Sequence, residues 1–172
     1  IFCIKGVIYS DRTVTPLYAE IRKVQQNAGF KFAGLKEDGK GVRVSVRNKH
    51  LFTDLAEYSA DWAIMEEGNK VVASGSVDIA AAPLETVEIT IPTESVDKAA
   101  LLKDAKYYLT VNLRLRDNTE WAEKGYVVAT EQLALPAEFN DYTPSIMQLD
   151  AVTGIDVRNE DDRMVVIGRN FT

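Results

Sequence analysis

The sequence of 172 residues has the composition of an ordinary globular protein, with 46% hydrophobic and 27% charged residues. These fractions exclude collagen-like, disordered, transmembrane and disulfide-rich classes. The formal net charge of -6 is the wrong sign for a surface that gathers phosphates, so neither nucleic acid nor a membrane is expected as a partner. The length predicts one domain with part of a second, and it allows a core without disulfides.

Hydrophobic spacing predicts one short helix followed by a series of strands. Leu17, Ile21 and Val24 recur at helical spacing after Pro16, a residue suited to the first turn of a helix. Period-two alternation begins near residue 30, and it predicts strands at 42–47, 61–66, 70–79, 84–91, 107–116 and 125–135. Short strands at this spacing are typical of an all-β fold, and we predict an immunoglobulin-like antiparallel β-sandwich.

Two aromatic features support the sandwich. The strand entry at residues 104–109 resembles a tyrosine corner, in which a Tyr hydroxyl bonds back to the upstream backbone. Trp62 alternates with Ile64 and is predicted to lie in the core. The Cys, Trp, Cys pattern of antibody domains is absent, so the likeness concerns the architecture alone.

Both ends of the sequence suggest a piece of a longer chain. It begins at Ile1 with no initiator Met and no signal-peptide pattern. Residues 153–158 and 163–168 predict two strands joined by an acidic turn at 159–162. Because an isolated hairpin is marginally stable in water, this truncated hairpin is expected to open a further sheet. The single cysteine, Cys3, is interpreted as a small buried apolar residue rather than a reactive thiol.

The residue types that carry chemistry form no recognisable catalytic or metal-binding pattern. The only histidine, His50, lies in a polar stretch and is interpreted as a solvated loop residue. Gly39, Lys40 and Gly41 precede a predicted strand, which indicates a hairpin turn, because phosphate-binding loops lead into a helix. The sequence has no HExxH motif, no paired cysteines and no EF-hand loop, so no metal site is predicted.

Glu131 and Trp121 are the unusual side chains. Glu131 interrupts the apolar alternation of its strand, so its carboxylate must be paired, protonated or placed at a bulge. Glycoside hydrolysis needs two carboxyls about 5–5.5 Å or about 6.5–9.5 Å apart, and no such pair stands out. Trp121 lies in a loop from which it can stack on a sugar ring, although packing against the sandwich is the commoner fate. An alternative function is therefore a carbohydrate-binding or cell-surface interaction module.

Several segments, taken in order, resemble a known family. Residues 2–13, with Pro16 and residues 23–26, resemble the stretch of glycoside hydrolase family 2 β-galactosidases where the catalytic barrel ends and the fourth domain begins. Residues 46–55 resemble the family's N-x-x-x-F-x-x-L stretch, and residues 125–135 end like its Q-x-x-L strand. The resemblance spans nearly the whole chain.

The resemblance implies a division into four parts and a role for each. Residues 1–16 would end the barrel segment, 17–136 form the immunoglobulin-like sandwich, 137–146 link, and 147–172 start the C-terminal β-sandwich domain. Both catalytic glutamates of the family lie in the barrel, so this chain is expected to hold no catalytic residue and to act as an accessory or scaffold domain.

The resemblance also implies properties of a parent enzyme. Its reaction would be retaining hydrolysis of terminal β-D-galactosides, in the bacterial cytoplasm or periplasm, by a homo-oligomer. The partners of this chain would be the remaining parts of the parent, the barrel and the C-terminal domain, and the parent would bind the β-galactoside substrate. Sodium and magnesium would belong to the parent, with no cofactor held by this chain.

Two residues are expected near the substrate of the parent. The family's Phe-Cys-x-Asn-Gly segment gives a sodium ion the Phe carbonyl and the Asn side chain, beside the galactosyl group. Phe2 matches that Phe, but Lys5 stands at the Asn position. An ammonium group cannot ligate sodium, so either the parent lacks this ion or the charge of Lys5 replaces it beside the sugar, which is the hypothesis that we prefer.

Overall fold

The computed structural model describes residues 6–67, 70–143, 156–160 and 163–167. These residues contain one α-helix, α1 (Pro16–Gln25), and Pro16 lies in its first turn as predicted. The strands in chain order are β1 (Ala28–Leu35), β2 (Gly41–Asn48), β3 (Tyr58–Glu66), β4 (Lys70–Val77), β5 (Thr86–Pro92), β6 (Tyr107–Leu115), β7 (Val127–Ala134), β8 (Asp156–Glu160) and β9 (Arg163–Ile167).

Seven of the strands form the two antiparallel sheets of a sandwich. One sheet has the order β1-β2-β5, and the other has the order β4-β3-β6-β7. Strands β8 and β9 form a separate antiparallel pair. The predicted all-β antiparallel sandwich with one N-terminal helix is therefore confirmed.

The core lies between the two sheets and follows the predicted alternation. Strand β2 contributes three fully buried valines, and every second residue of β6 is buried. Trp62 on β3 is 4% exposed, so its predicted place in the core is confirmed. Because a fully buried aliphatic side chain contributes about 1.5–3 kcal/mol, this shared interior is the main source of the domain's stability.

The tyrosine corner is confirmed at Tyr107, which is 2% exposed. Its hydroxyl accepts a hydrogen bond from the backbone N–H of Leu102 at 2.9 Å and donates one to the Glu66 carboxylate at 3.2 Å. Burial raises the pKa of Tyr107, and the neighbouring Glu66 adds to this, so the hydroxyl stays protonated and able to donate. The corner joins the loop before β6 to the end of β3.

Helix α1 differs from its prediction. Leu17 and Val24, two of the three residues of the expected apolar stripe, are exposed, and no residue of α1 is fully buried. Only Ile21 of that stripe is partly covered. The periodicity was correct for a helix, but the helix lies on the edge of the sandwich and not on its core, so its contacts are largely polar.

Turns and connections partly match the predictions. The Gly39 turn joins β1 to β2 as a hairpin, with φ of 68° at Gly39 and a hydrogen bond from its N–H to the Lys36 carbonyl. The predicted start of the acidic turn at residue 159 was wrong, because Asn159 and Glu160 belong to β8 and pair with β9. The turn residues 161–162 lie outside the described residues.

The segment after β7 continues to pack against the sandwich. Phe139 is 2% exposed and belongs to the hydrophobic core. The side-chain amide of Asn140 donates to the carbonyls of Leu102 and Ala105 at 2.7 and 3.0 Å. These contacts hold the first part of the segment expected as a linker, while the domain limits at 136 and 146 remain predictions.

Candidate functional site

A cleft of ≈ 350 Å³ opens beside α1, and we call it the aromatic cleft. Its lining comes from α1, from the chain leading into β1, from the loops after β2 and β6, and from residues of β3, β6 and β7. The lining residues are Tyr18, Ile21, Arg22, Gln25, Gln26, Asn27, Ala28, His50, Tyr58, Leu113, Trp121, Tyr126, Val128 and Ala129.

The loop between β6 and β7 places Trp121 at the cleft. Thr119 closes a tight turn in which its hydroxyl is bonded to the backbone N–H and carbonyl of Ala122. The Trp121 ring meets the Tyr126 ring nearly at right angles, with centroids 5.4 Å apart and an interplanar angle of 84°. Trp121 nevertheless remains 65% exposed, so its packing against the sandwich is partial.

The loop after β2 brings His50 into the same cleft. Buried Asn48 accepts a hydrogen bond from the His50 backbone N–H at 2.9 Å, while its side-chain amide donates to carbonyls across the loop. The His50 ring stacks on Tyr58, with centroids 5.7 Å apart and an interplanar angle of 19°. His50 lies in a loop as predicted, but it is only partly exposed, because its ring stacks on Tyr58 beside the cleft.

Burial affects the charge of both rings in this stack. It lowers the pKa of His50, an effect that the Glu57 carboxylate opposes, so the neutral imidazole is favoured. It raises the pKa of Tyr58, and the Glu57 carboxylate acts in the same direction. This wall of the cleft is thus uncharged near neutral pH.

Side chains of α1 satisfy the free backbone edge of β7. The Arg22 guanidinium donates to the Val127 carbonyl and lies 4.7 Å from the centre of the Tyr126 ring. Lys23 donates to the Thr130 carbonyl, and Gln26 accepts from the Thr130 N–H at 3.1 Å. An exposed strand edge invites pairing with another chain, and the helix blocks it here.

The same helix explains the unusual carboxylate on β7. Glu131 faces Val111 across the strand pair, and its carboxylate lies 2.9 Å from the Lys23 ammonium nitrogen. Of the three explanations left open for Glu131, the structure selects pairing. This ion pair is structural, because neither residue lines the aromatic cleft.

The aromatic cleft is largely apolar and nearly uncharged, with a few polar side chains among its rings. Arg22 is the only Lys, Arg, Asp or Glu among its lining residues. Within the described part of the chain, the side chains of Tyr18, Tyr58, Gln25 and Asn27 make no hydrogen bond to the protein. The aromatic rings of the cleft can therefore stack on a flat apolar face of a ligand. Its polar side chains can hydrogen-bond a neutral ligand. It lacks the pair of carboxyls that glycoside hydrolysis uses.

Of the three predicted site residues, the structure describes one. Trp121 lies at the cleft, whereas Phe2 and Lys5 lie outside the described residues. His50 and Tyr58 were missed as a pair, because eight positions separate them in sequence and only the loop after β2 brings them together. Tyr126 was missed as a partner of Trp121, because only the conformation of the β6–β7 loop brings the two rings together.

Across residues 6–67, 70–143, 156–160 and 163–167, no group of three or more His, Cys, Asp or Glu side chains is placed to hold a metal ion. In the same ranges, no helix has both the length and the apolar character needed to cross a membrane.

Comparison with known proteins identifies the family. The sequence model described as "Beta-galactosidase, domain 4" matches residues 44–136. A protein of Priestia megaterium named "Beta-galactosidase" is 33% identical over 171 residues, which cover 99% of this chain and 16% of that protein. Proteins of the same name from Psychromonas ingrahamii and Alteromonas mediterranea are 32% and 28% identical, over 78% and 98% of this chain, and 12% and 16% of their own lengths.

This chain therefore spans only 12–16% of the length of these relatives. The family match, however, covers more than half of the chain and includes β3 to β7 whole and most of β2. The chain belongs to the β-galactosidase domain 4 family.

Proposed function

We propose that this chain is a non-catalytic scaffold domain of a β-galactosidase, which holds the catalytic barrel and the C-terminal domain of its parent in position. The observation that carries the proposal is the domain 4 match at residues 44–136. The parent would hydrolyse terminal β-D-galactosides with retention, using two carboxyls from its barrel.

A scaffold needs surfaces that other parts of the parent cover. Phe52 is 92% exposed and Leu51 is 63% exposed, next to each other in the loop after β2. Large apolar side chains exposed to this extent are typical of sites covered by a partner. The relatives are several times longer than this chain, so we infer that the occupant is the remainder of the parent chain.

Reconstitution tests the scaffold role. A parent enzyme from which the segment corresponding to this chain has been removed is mixed with this chain. Hydrolysis of a chromogenic β-galactoside by the mixture is then followed. We expect no activity from this chain alone and restored activity from the mixture. Activity of this chain alone, or a truncated parent that is fully active without it, would overturn the proposal.

Matched variants test whether Leu51 and Phe52 form the surface that contacts the rest of the parent. Phe52→Ser and Leu51→Ser should weaken reconstitution, while Val71→Ser should not. All three side chains are more than half exposed, so none contributes much to the domain's own core. Equal behaviour of the three variants would remove Leu51 and Phe52 from the proposed contact.

We also propose that Lys5 takes the place of a sodium ion beside the galactosyl group of the parent. The support is the sequence alone, in which Lys5 occupies the Asn position of the family's segment. In the intact parent, Lys5→Asn should change substrate affinity and create a response to added sodium. An unchanged KM together with an unchanged sodium response would overturn this proposal. The parent's magnesium and its homo-oligomeric state remain proposals of the same kind.

A further inference from the structure

We propose that the aromatic cleft is a saccharide-binding site, with the Trp121 indole as its stacking platform and a neutral β-galactoside as its ligand. The choice of galactoside rests on the proposed function, while the choice of a sugar rests on the cleft itself. Hydrolysis is not part of the proposal, because the lining has no carboxylate.

The first support is the aromatic surface. Trp121 touches Tyr126 nearly at right angles yet stays 65% exposed, so most of the indole surface remains open to a ligand. His50 and Tyr58, which also line the cleft, form a second aromatic pair. A pyranose ring has an apolar C–H face that packs against such rings, with a rim of hydroxyls that needs hydrogen-bond partners.

The second support is the set of polar groups around these rings. Among the described residues, the hydroxyls of Tyr18 and Tyr58 and the side-chain amides of Gln25 and Asn27 line the cleft without a hydrogen-bond partner. Hydroxyl and amide groups both donate and accept, which suits sugar hydroxyls. An apolar ligand would displace the water on these groups without replacing its hydrogen bonds.

The third support is charge and size. Arg22 is the only charged lining residue, and it is already engaged by the Val127 carbonyl and the Tyr126 ring. A phosphorylated ligand would need free cations, and a cationic ligand would need a carboxylate, so a neutral ligand fits best. The volume of ≈ 350 Å³ lies at the small end of the range of ligand sites, about 300–1,000 Å³.

The two tryptophans provide an internal control for the test. The chain contains two, Trp121 at the cleft and Trp62 buried in the core. Each gives one indole N–H signal in a two-dimensional proton–nitrogen NMR spectrum of the ¹⁵N-labelled chain. Titration with methyl β-D-galactopyranoside should shift the Trp121 signal saturably and leave the Trp62 signal in place. Sorbitol, which has hydroxyls but no pyranose ring, should produce no saturable shift.

Variants locate the binding. Trp121→Ala should weaken binding roughly three- to tenfold, the range expected for loss of one aromatic contact, and Trp121→Phe should retain part of it. Phe52→Ala is the matched control, because Phe52 is exposed but does not line the cleft. Both side chains are mainly exposed, so both variants are expected to fold, and unfolding curves check this.

Each outcome decides the proposal. Saturable binding that Trp121→Ala weakens and Phe52→Ala does not supports it. It is overturned by the absence of a saturable shift, by equal effects of the two variants, or by a proline-rich peptide that shifts Trp121 when the galactoside does not. Reconstitution of the parent is measured separately, so a chain that reconstitutes without binding galactoside overturns the cleft proposal alone.

Discussion

The Lys23 ammonium nitrogen lies 2.9 Å from the Glu131 carboxylate and joins helix α1 to the edge strand β7. Glu131 shares the inner face of the sheet with Val111, which is fully buried. A carboxylate in that position needs a cation or hydrogen-bond donors, and the helix supplies the cation. This ion pair therefore helps to explain why α1, which has no buried apolar stripe, packs against the edge of β7.

The Lys23–Glu131 pair should show measurable coupling. In a double-mutant cycle of Lys23→Ala and Glu131→Ala, we expect a coupling free energy of up to about 1 kcal/mol, since both side chains remain partly exposed. Urea unfolding at low and high salt measures it, and the coupling should fall with salt. The control is the more exposed pair of Arg43 and Glu88, at 3.5 Å, for which a smaller coupling is expected. Coupling that is zero at both salt concentrations would contradict the structural role.

The tyrosine corner should contribute to stability through its hydroxyl. Tyr107→Phe keeps the ring but leaves the Leu102 N–H and the Glu66 carboxylate without this partner. We expect a loss of about 1–3 kcal/mol in the free energy of unfolding, measured by urea denaturation. Tyr108→Phe is the matched control, because the Tyr108 hydroxyl makes no hydrogen bond within the described residues, and its expected effect is small. Equal effects of the two substitutions would refute a special role for the corner.

Gly75 on β4 should be intolerant of a side chain. A Cβ atom there would stand 2.9 Å from Cζ2 of the Trp62 indole, closer than real contacts allow. Because Trp62 is packed in the core, we expect Gly75→Ala to destabilise the domain by about 1–3 kcal/mol. At Gly29 on β1 the nearest atom, from Lys49, would be 3.5 Å away, so Gly29→Ala should be tolerated. Thermal unfolding of both variants provides the comparison, and a tolerated Gly75→Ala would mean that the indole can shift.

His50 should make stability depend on pH. Burial lowers its pKa below the ordinary value of 6.5, so the unfolded chain binds this proton more readily than the folded one. The free energy of unfolding should therefore fall as pH decreases from about 6.5 through the folded-state pKa, with no contribution from His50 above about 7.5. Urea unfolding between about pH 8 and pH 5 measures this dependence.

The matched variant for the pH experiment is His50→Gln. It removes the only histidine of the sequence, so the pH dependence just below 6.5 should become flatter. The wild type and the variant should then differ in slope within that window and run parallel above it. Parallel curves throughout would show that His50 titrates alike in the folded and unfolded chains.

The sequence by itself determined the sandwich. Alternation of apolar and polar residues is a local property of a strand with one buried face, so Val42, Val44 and Val46 could be assigned to the core without knowing what they face. The tyrosine corner was visible for the same reason, because its hydrogen bond spans only five residues, from Tyr107 to Leu102. The family resemblance was also readable from the order of short segments.

Only the tertiary structure decided which groups meet. The pairing of Lys23 with Glu131 and the stacking of His50 on Tyr58 depend on where α1 and the loop after β2 come to rest. The face that α1 turns toward the sandwich could not be read from Leu17, Ile21 and Val24, because the free backbone edge of β7 offers polar partners that no periodicity records. The composition gives an acidic chain, yet the fold forms a nearly uncharged aromatic cleft, since it gathers neutral side chains from distant parts of the sequence.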